Sequence, residues 1–459
     1  MSVDATAARE DTSGERRVRY PHPVLAARAA RVLRDNDTGS VVTAAPRLYP
    51  HMWSWDAAFI SIGLARLDVR RAIAELETLF AAQWRNGMVP HIVFTDADAY
   101  FPGPDRWGTD VARDGPSNVR TSGICQPPVH AIAVQRVLEA ARMSSPGDRA
   151  DAERFARHIW PKLYAWHRWL VEYRTPGSSG LIAIVHGWES GMDNSPRWDL
   201  PYAAVKPGAE LPPYVRKDLS AVGDPGERPT DREYDRYLWL IEEMRRASYD
   251  QRRIVRDSSF LAGDVFITAL FAISCDVLIE LGREFGQAPE PLGNLAEWAA
   301  NARAAVAASC HSVSGMARDR DLRTSRWLDT QTIAGFAPLL CGGAPDGVQL
   351  RLLSLLDSER WCGHPGLLAP VPPSVSPLRP GFTPRQYWRG PQWPVVVWLF
   401  WWAFERRGWH ERARRLRDAA ILLTEDGSFG EYYEPFTGEP LGSADQSWTA
   451  AVVLDWLCS

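Results

Sequence analysis

Apolar residues recur at three- and four-residue steps along most of the chain. Val69, Ala72, Ile73, Leu76, Leu79, Phe80 and Trp84 trace one stripe, which predicts a helix of about four turns with that face inward. The same spacing predicts helices over 127–142, 148–174, 231–250, 261–285, 294–309, 346–357, 392–407, 410–424 and 444–457, with shorter ones at 23–35, 56–67 and 328–341. Strand-like alternation is scarce, and Leu181 to His186 is its best case. The fold class expected is all-α. About a dozen helices with alternately short and long connections imply nested hairpins, and six hairpins closed in a ring make a single (α/α)6 barrel. No hinge, charge run or fixed-period repeat divides the chain. Residues 19–459 are therefore expected to form one barrel domain with loop insertions near 86–126 and 175–230, behind a disordered tail at 1–18.

Composition narrows the function classes. The 459 residues are 45% hydrophobic and 24% charged, with 52 basic against 56 acidic side chains and a net charge of −4. That is an ordinary globular balance, and it removes the electrostatic case for a nucleic-acid partner. The six cysteines lie far apart with no CxxC, which speaks against a disulfide framework or zinc site and for a reducing, cytoplasmic setting. The longest wholly apolar run, Val395 to Phe404, is too short for a membrane span, and residues 1–18 hold no apolar stretch of the signal-peptide kind. Nothing in the composition fixes the oligomeric state, so a homo-oligomer stays open. Tryptophan is the unusual residue: 21, against 13 tyrosines and 15 phenylalanines. An excess of that kind fits either semi-exposed platforms for sugar rings or a Trp-rich core.

The long loops carry the chemistry. Tyr49-Pro50-His51-Met52-Trp53-Ser54-Trp55-Asp56 precedes a helix, so Asp56 is either an N-cap or a carboxylate in a ring-walled pocket that bonds hydroxyls. Residues 187–199, GWESGMDNSPRWD, put three carboxylates, two tryptophans and an arginine into thirteen positions without apolar periodicity. There, a carboxyl screened by rings keeps its proton, while Arg197 is expected to hold another ionised. The segment Arg385 to Trp393 offers rings to stack on a pyranose, with Pro391 at a helix start. In Phe429 to Pro435, Glu431 sits between a glycine and two tyrosines as a second site carboxylate. Two carboxyls from distant loops among aromatic rings are what glycoside hydrolysis requires. The chain has no GxGxxG after a strand, no Walker loop, no GxSxG and no HExxH. A non-catalytic carbohydrate-binding barrel and a sugar epimerase are the alternatives from other classes. Intact carboxylates count against the first and scattered histidines against the second.

At these segments the sequence resembles glycoside hydrolase family 63, and within it the bacterial glucosylglycerate and mannosylglycerate hydrolases. The likeness rests on MWSWDAAF (52–59), SGICQPP (122–128), GWESGMDNSPRWD, RDSSFLAGDVF (256–266), QYWRGPQWP (386–394), GEYYEPFTGEP (430–440) and ADQSWTAA (444–451). ESGMDNSPRWD also looks like the signature of the trehalase family, which shares the barrel. The resemblance implies inverting hydrolysis of a small α-glycoside to free sugar plus glycerate, without a metal or organic cofactor. Asp193 would be the general acid and Glu431 the general base. Tyr49, Trp53, Trp55, Asp56, Gln126, Trp188, Gly191, Tyr387, Trp388, Trp393 and Gln446 would shape the sugar subsite. Arg228 and Tyr234 would meet the glycerate carboxylate. The competing reading within the clan is a trehalase-like or other α-glucosidase.

Overall fold

The computed structural model describes residues 19–95, 100–220 and 222–459. The tail expected at 1–18 lies outside them.

Among the described residues six helices are buried over most or all of their length: Ser54–Leu64, His130–Arg142, Val265–Glu284, Ala337–Cys341, Pro394–Arg406 and Ser447–Leu457. His130–Arg142 keeps a partly wet side; the others are apolar on almost all sides and can pack only inside the protein. They touch in a closed order, each contacting the next and Ser447–Leu457 returning to Ser54–Leu64. Six amphipathic helices cover them: His22–Asp35, Val69–Ala81, Pro146–Arg174, Pro289–Ser309, Asp346–Leu356 and His410–Ile421. An inner ring inside an outer ring is the (α/α)6 barrel. Val265–Glu284 is apolar and long enough to cross a membrane, but 89% of its most apolar window is buried among its neighbours.

The helix ends follow from local chemistry. Asp68 caps Val69–Ala81 by accepting from the N–H groups of Arg70 and Arg71. Asp264 does the same for Phe266 and Ile267 at the start of Val265–Glu284. Proline opens Pro394–Arg406, so the helix-start proline is Pro394, three positions beyond the expected Pro391. Pro391 belongs instead to an extended segment in which Gln392 bridges Tyr433 and Pro373.

Among the described residues, strand is confined to fragments of two or three residues. Ala183–Ile184 pairs with Ala262–Gly263, which pairs with Asp319–Asp321 and so with Arg326–Leu328; two further pairs join 52–53 to 92–93 and 432–433 to 440–441. All lie in the connections that lead into inner helices. The long connections 82–129, 175–264 and 422–446 thus gather at one end of the ring, the end where the inner helices start. There their free N–H groups and positive dipole ends favour oxygen-rich groups.

Candidate active site

A cavity opens at that end, with about 680 Å³ of space including its mouth. Asp193, Glu431, Tyr49, Trp53, Trp55, Asp56, Gln126, Trp188, Gly191, Arg228, Tyr234, Tyr387 and Gln446 all line it. Trp388 and Trp393 do not. They stack on each other at 3.6 Å and 4°, with Trp393 also stacked on Tyr432 at 4.6 Å, and are almost wholly buried. The expected pyranose platforms are therefore a supporting wall behind Tyr387. Tryptophan as a whole follows suit, since ten of its side chains rank among the largest fully buried ones.

Glu431 is 1% exposed, yet its carboxylate is fully engaged. Oε1 accepts from Tyr49 Oη at 2.8 Å and Tyr387 Oη at 3.3 Å, and Oε2 accepts from the Ser443 backbone N–H at 3.2 Å. Gly442 permits that approach, because a Cβ there would sit 2.4 Å from Oε2. Burial raises the Glu431 pKa, while Arg228 and these three donors oppose the rise. Asp193, partly open to the cavity, has a different balance. Burial pushes its carboxyl up to about 7; Arg228 pulls against this and the Glu431 charge adds to it. Near neutral pH Asp193 thus stands ready to hold a proton beside Glu431.

Asp56 is the third carboxyl. Helix Ser54–Leu64 is preceded by Trp53 as its cap residue, so Asp56 lies within the first turn and not at the N-cap. Its carboxyl lines the cavity, and burial, then the Glu431 charge, lift its pKa well above the usual range. Two amides complete this side. Gln126 Oε1 accepts from the Trp55 N–H at 3.1 Å. Gln446, held at Oε1 by the Ser443 hydroxyl, keeps a buried Nε2 with no partner among the described residues. A ligand hydroxyl would satisfy that donor.

Arg228, 9% exposed and also in the cavity lining, donates from Nε to Asp218 at 3.4 Å and from Nη1 to Tyr49 Oη at 3.2 Å, and lies 4.3 Å over the Tyr387 ring. Tyr234 donates to the Phe101 carbonyl at 3.3 Å and carries the Arg216 guanidinium over its ring.

The loop holding Asp193 is bolted down by ion pairs. Glu189 accepts from Val185 N at 2.7 Å, Cys125 N at 3.3 Å and Arg174 Nη2 at 2.9 Å, with both charged side chains fully buried. The expectation that Arg197 holds a carboxylate of its own loop is corrected: it pairs with Asp264 at 2.8 Å and Asp319 at 3.4 Å, both supplied by distant parts of the chain around the small sheet. Asn194 accepts from Trp388 N at 2.9 Å, tying this loop to the Tyr387 segment. Breaking a buried pair of this kind costs about 3–5 kcal/mol.

Residues 49–449 match the family of mannosylglycerate hydrolase MGH1-like glycoside hydrolase domains. The chain is 57% identical to the glucosylglycerate hydrolase of Mycolicibacterium hassiacum, over 94% of this chain and 97% of the relative. It is 41% identical to the mannosylglycerate hydrolase of Thermus thermophilus, over 94% and 99%. Among solved structures it superimposes with a TM-score of 0.85 on the GH63 mannosylglycerate hydrolase from another strain of Thermus thermophilus, in complex with Tris and D-glycerate, at 40% identity over 94% of this chain and 99% of that one. The chain belongs to this family. It is a glycoside hydrolase of family 63.

The hydrolase also places residues in the cavity wall that the sequence reading did not select: His91, Tyr100, Pro229, Tyr237 and Trp448. Trp448 stands inside a quoted motif, and Tyr237 is one helical turn beyond Tyr234, so both carried a usable signal. His91 and Tyr100 carried none. His51 and His186, adjacent in sequence to site loops, stay behind the wall: His51 binds Thr95 at 3.0 Å, and His186 faces the Tyr237 carbonyl at 3.1 Å. Burial holds His91 and His186 at pKa values of about 3, so both are neutral at ordinary pH. Among the described residues no group of three or more His, Cys, Asp or Glu could hold a metal ion.

Gly191 makes the first prediction. Its φ is +69°, and a Cβ would meet Trp55 Cη2 at 2.7 Å. Gly191→Ala is expected to displace the Trp55 ring and lower kcat/KM by about 10²-fold, because small errors in reactant placement cost that much. Steady-state kinetics on the soluble variant is the check, and a loss under about threefold counts against it.

Proposed function

We propose that this hydrolase cleaves glucosylglycerate, with mannosylglycerate as the second substrate, and that it inverts the anomeric centre. Asp193 protonates the glycosidic oxygen as it leaves with glycerate. Glu431 takes a proton from the water that attacks the anomeric carbon from the opposite face. Asp56, Gln126, Gln446 and Trp188 receive the sugar, and Arg228 with Tyr234 faces the glycerate carboxylate, for which a guanidinium fork is well shaped. The observation that carries the reading is the pairing across one cavity of a carboxyl raised to about 7 with a second that accepts three hydrogen bonds. Two acids in contrasting surroundings are the condition for one to give a proton while the other takes one. The sugar preference follows the relative at 57% identity over the one at 41%. Six free cysteines support a cytoplasmic setting.

The test is product analysis on glucosylglycerate, mannosylglycerate and trehalose. Free glucose and glycerate from the first at the highest kcat/KM, with the β anomer of glucose appearing first by NMR, is the expected result. Trehalose as the best substrate would sink the proposal. The pH profile is a further prediction. Asp193 must be protonated, so the rate falls as pH rises through about 7, while Glu431 must be ionised, so the rate also falls in acid below its raised pKa. A bell-shaped dependence of kcat/KM on pH is expected; a rate still at its maximum at about pH 9 would remove Asp193 as the acid.

A further inference from the structure

The hydrogen bonds around Glu431 do not stop at the site carboxylates. Tyr49 Oη donates to Glu431 Oε1 at 2.8 Å and accepts from Arg228 Nη1 at 3.2 Å, so one hydroxyl joins the guanidinium to the carboxylate. A second path runs in parallel: the guanidinium lies 4.3 Å over the ring of Tyr387, whose hydroxyl reaches the same Oε1 at 3.3 Å and Tyr49 Oη at 3.3 Å. The residue that would meet the leaving group's charge is therefore two hydrogen bonds from the residue that would activate water. We propose that Tyr49 is a positioning residue that carries the influence of the Arg228 charge to Glu431, so that an anionic leaving group seated on Arg228 alters the ionisation of both site carboxyls. The enzyme then separates anionic from neutral leaving groups in the chemical step as well as in binding. This rests on the reading of Asp193 and Glu431 given above.

The electrostatics of the surroundings support a selective effect. Arg228 lowers the pKa of both Asp193 and Glu431, and an anion that offsets its charge lets both rise. The other groups facing this cluster, Asp56 apart, are quiet. Asp218, on the far side of the guanidinium, is held low by Arg216 and Arg228 against the effect of its burial, and stays ionised. Burial lifts the phenols of Tyr49, Tyr100, Tyr234, Tyr237, Tyr202, Tyr387 and Tyr432 far from neutrality. Asp56, raised first by burial, responds to the charges of Glu431 and Asp193. Glu227 is engaged by Arg385 at 2.7 Å.

The test compares glucosylglycerate with glucosylglycerol, which carries a hydroxymethyl group in place of the carboxylate. The pH dependence of kcat/KM reports the free enzyme and that of kcat the complex. With glucosylglycerate both limbs of kcat are expected about one pH unit above those of kcat/KM; with glucosylglycerol the two profiles should coincide. Tyr49→Phe removes the linking hydroxyl. It should raise the acid limb of kcat/KM for both substrates, since Glu431 loses a donor, and should shrink the separation seen with glucosylglycerate. Coincident profiles for both substrates in the wild type overturn the proposal, as does a Tyr49→Phe variant that loses rate equally at every pH. If neither glucosylglycerate nor glucosylglycerol is turned over, the functional reading fails instead, which is a distinct result. Should Tyr49→Phe fail to fold, the wild-type comparison decides alone.

Discussion

Asp193→Asn is expected to lower kcat on glucosylglycerate by about 10²–10⁴-fold, the range that a lost general acid removes. The leaving oxygen of glycerate is an ordinary alkoxide and cannot depart without a proton. With α-glucosyl fluoride, whose leaving group needs none, the same variant should lose far less. That contrast separates an acid from a residue that merely shapes the cavity, because a shape defect would slow both substrates alike. The fold should hold. Burial raises the native Asp193 carboxyl to about 7 from an ordinary value of 3.8, so the native chain binds this proton more tightly than the unfolded one. Its contribution to stability is then lost as pH climbs through that window. Asparagine does not titrate, so the variant's Tm relative to wild type should increase between about pH 4 and pH 8. A variant that keeps near-normal rates on the natural substrate would remove Asp193 from the acid role.

The parts of this molecule that were readable from sequence are those whose cause is local. Outer helices such as Val69–Ala81 announce themselves by a single apolar stripe, because one face is wet. Inner helices such as Pro394–Arg406 lack that contrast; the same three- and four-residue spacing predicts them, within a nearly continuous apolar run. Strand 183–184 falls inside the Leu181–His186 alternation, but its partners at 262–263 and 319–321 are too short and too distant in sequence to leave an alternation of their own. The same distance explains Arg197, whose carboxylates at Asp264 and Asp319 are supplied by the tertiary fold. Trp388 and Trp393 show a different limit. Composition says that a ring is present, and only packing says whether it faces a ligand or another ring. The site carboxylates were legible because no packing rule asks for acids between tryptophans and glycines, so their presence already pointed to chemistry.

Replacing Glu431 should produce a loss at least as large, and a different pattern of rescue. Glu431→Gln keeps the shape and can still accept from Tyr49 and Tyr387, but its amide N–H₂ must then face the Ser443 N–H that Oε2 now satisfies. Two donors in opposition leave a buried group unpaired, at a stability cost of about 1–3 kcal/mol. Without a base, water must attack undeprotonated, and kcat is expected to fall by about 10²–10⁴-fold on every glucoside, including the fluoride that spares Asp193→Asn. Glu431→Ala opens space beside Gly442, and azide, an anion that needs no deprotonation, should restore turnover there. The product should be β-glucosyl azide from an α-linked substrate, since the nucleophile enters from the face opposite the departing oxygen. Formation of the α azide would point instead to a second displacement and hence to a covalent intermediate. Failure of azide to act on Glu431→Ala, in a chain whose Tm and circular dichroism match wild type, would mean that Glu431 organises Tyr49 and Tyr387 without handling the proton of water.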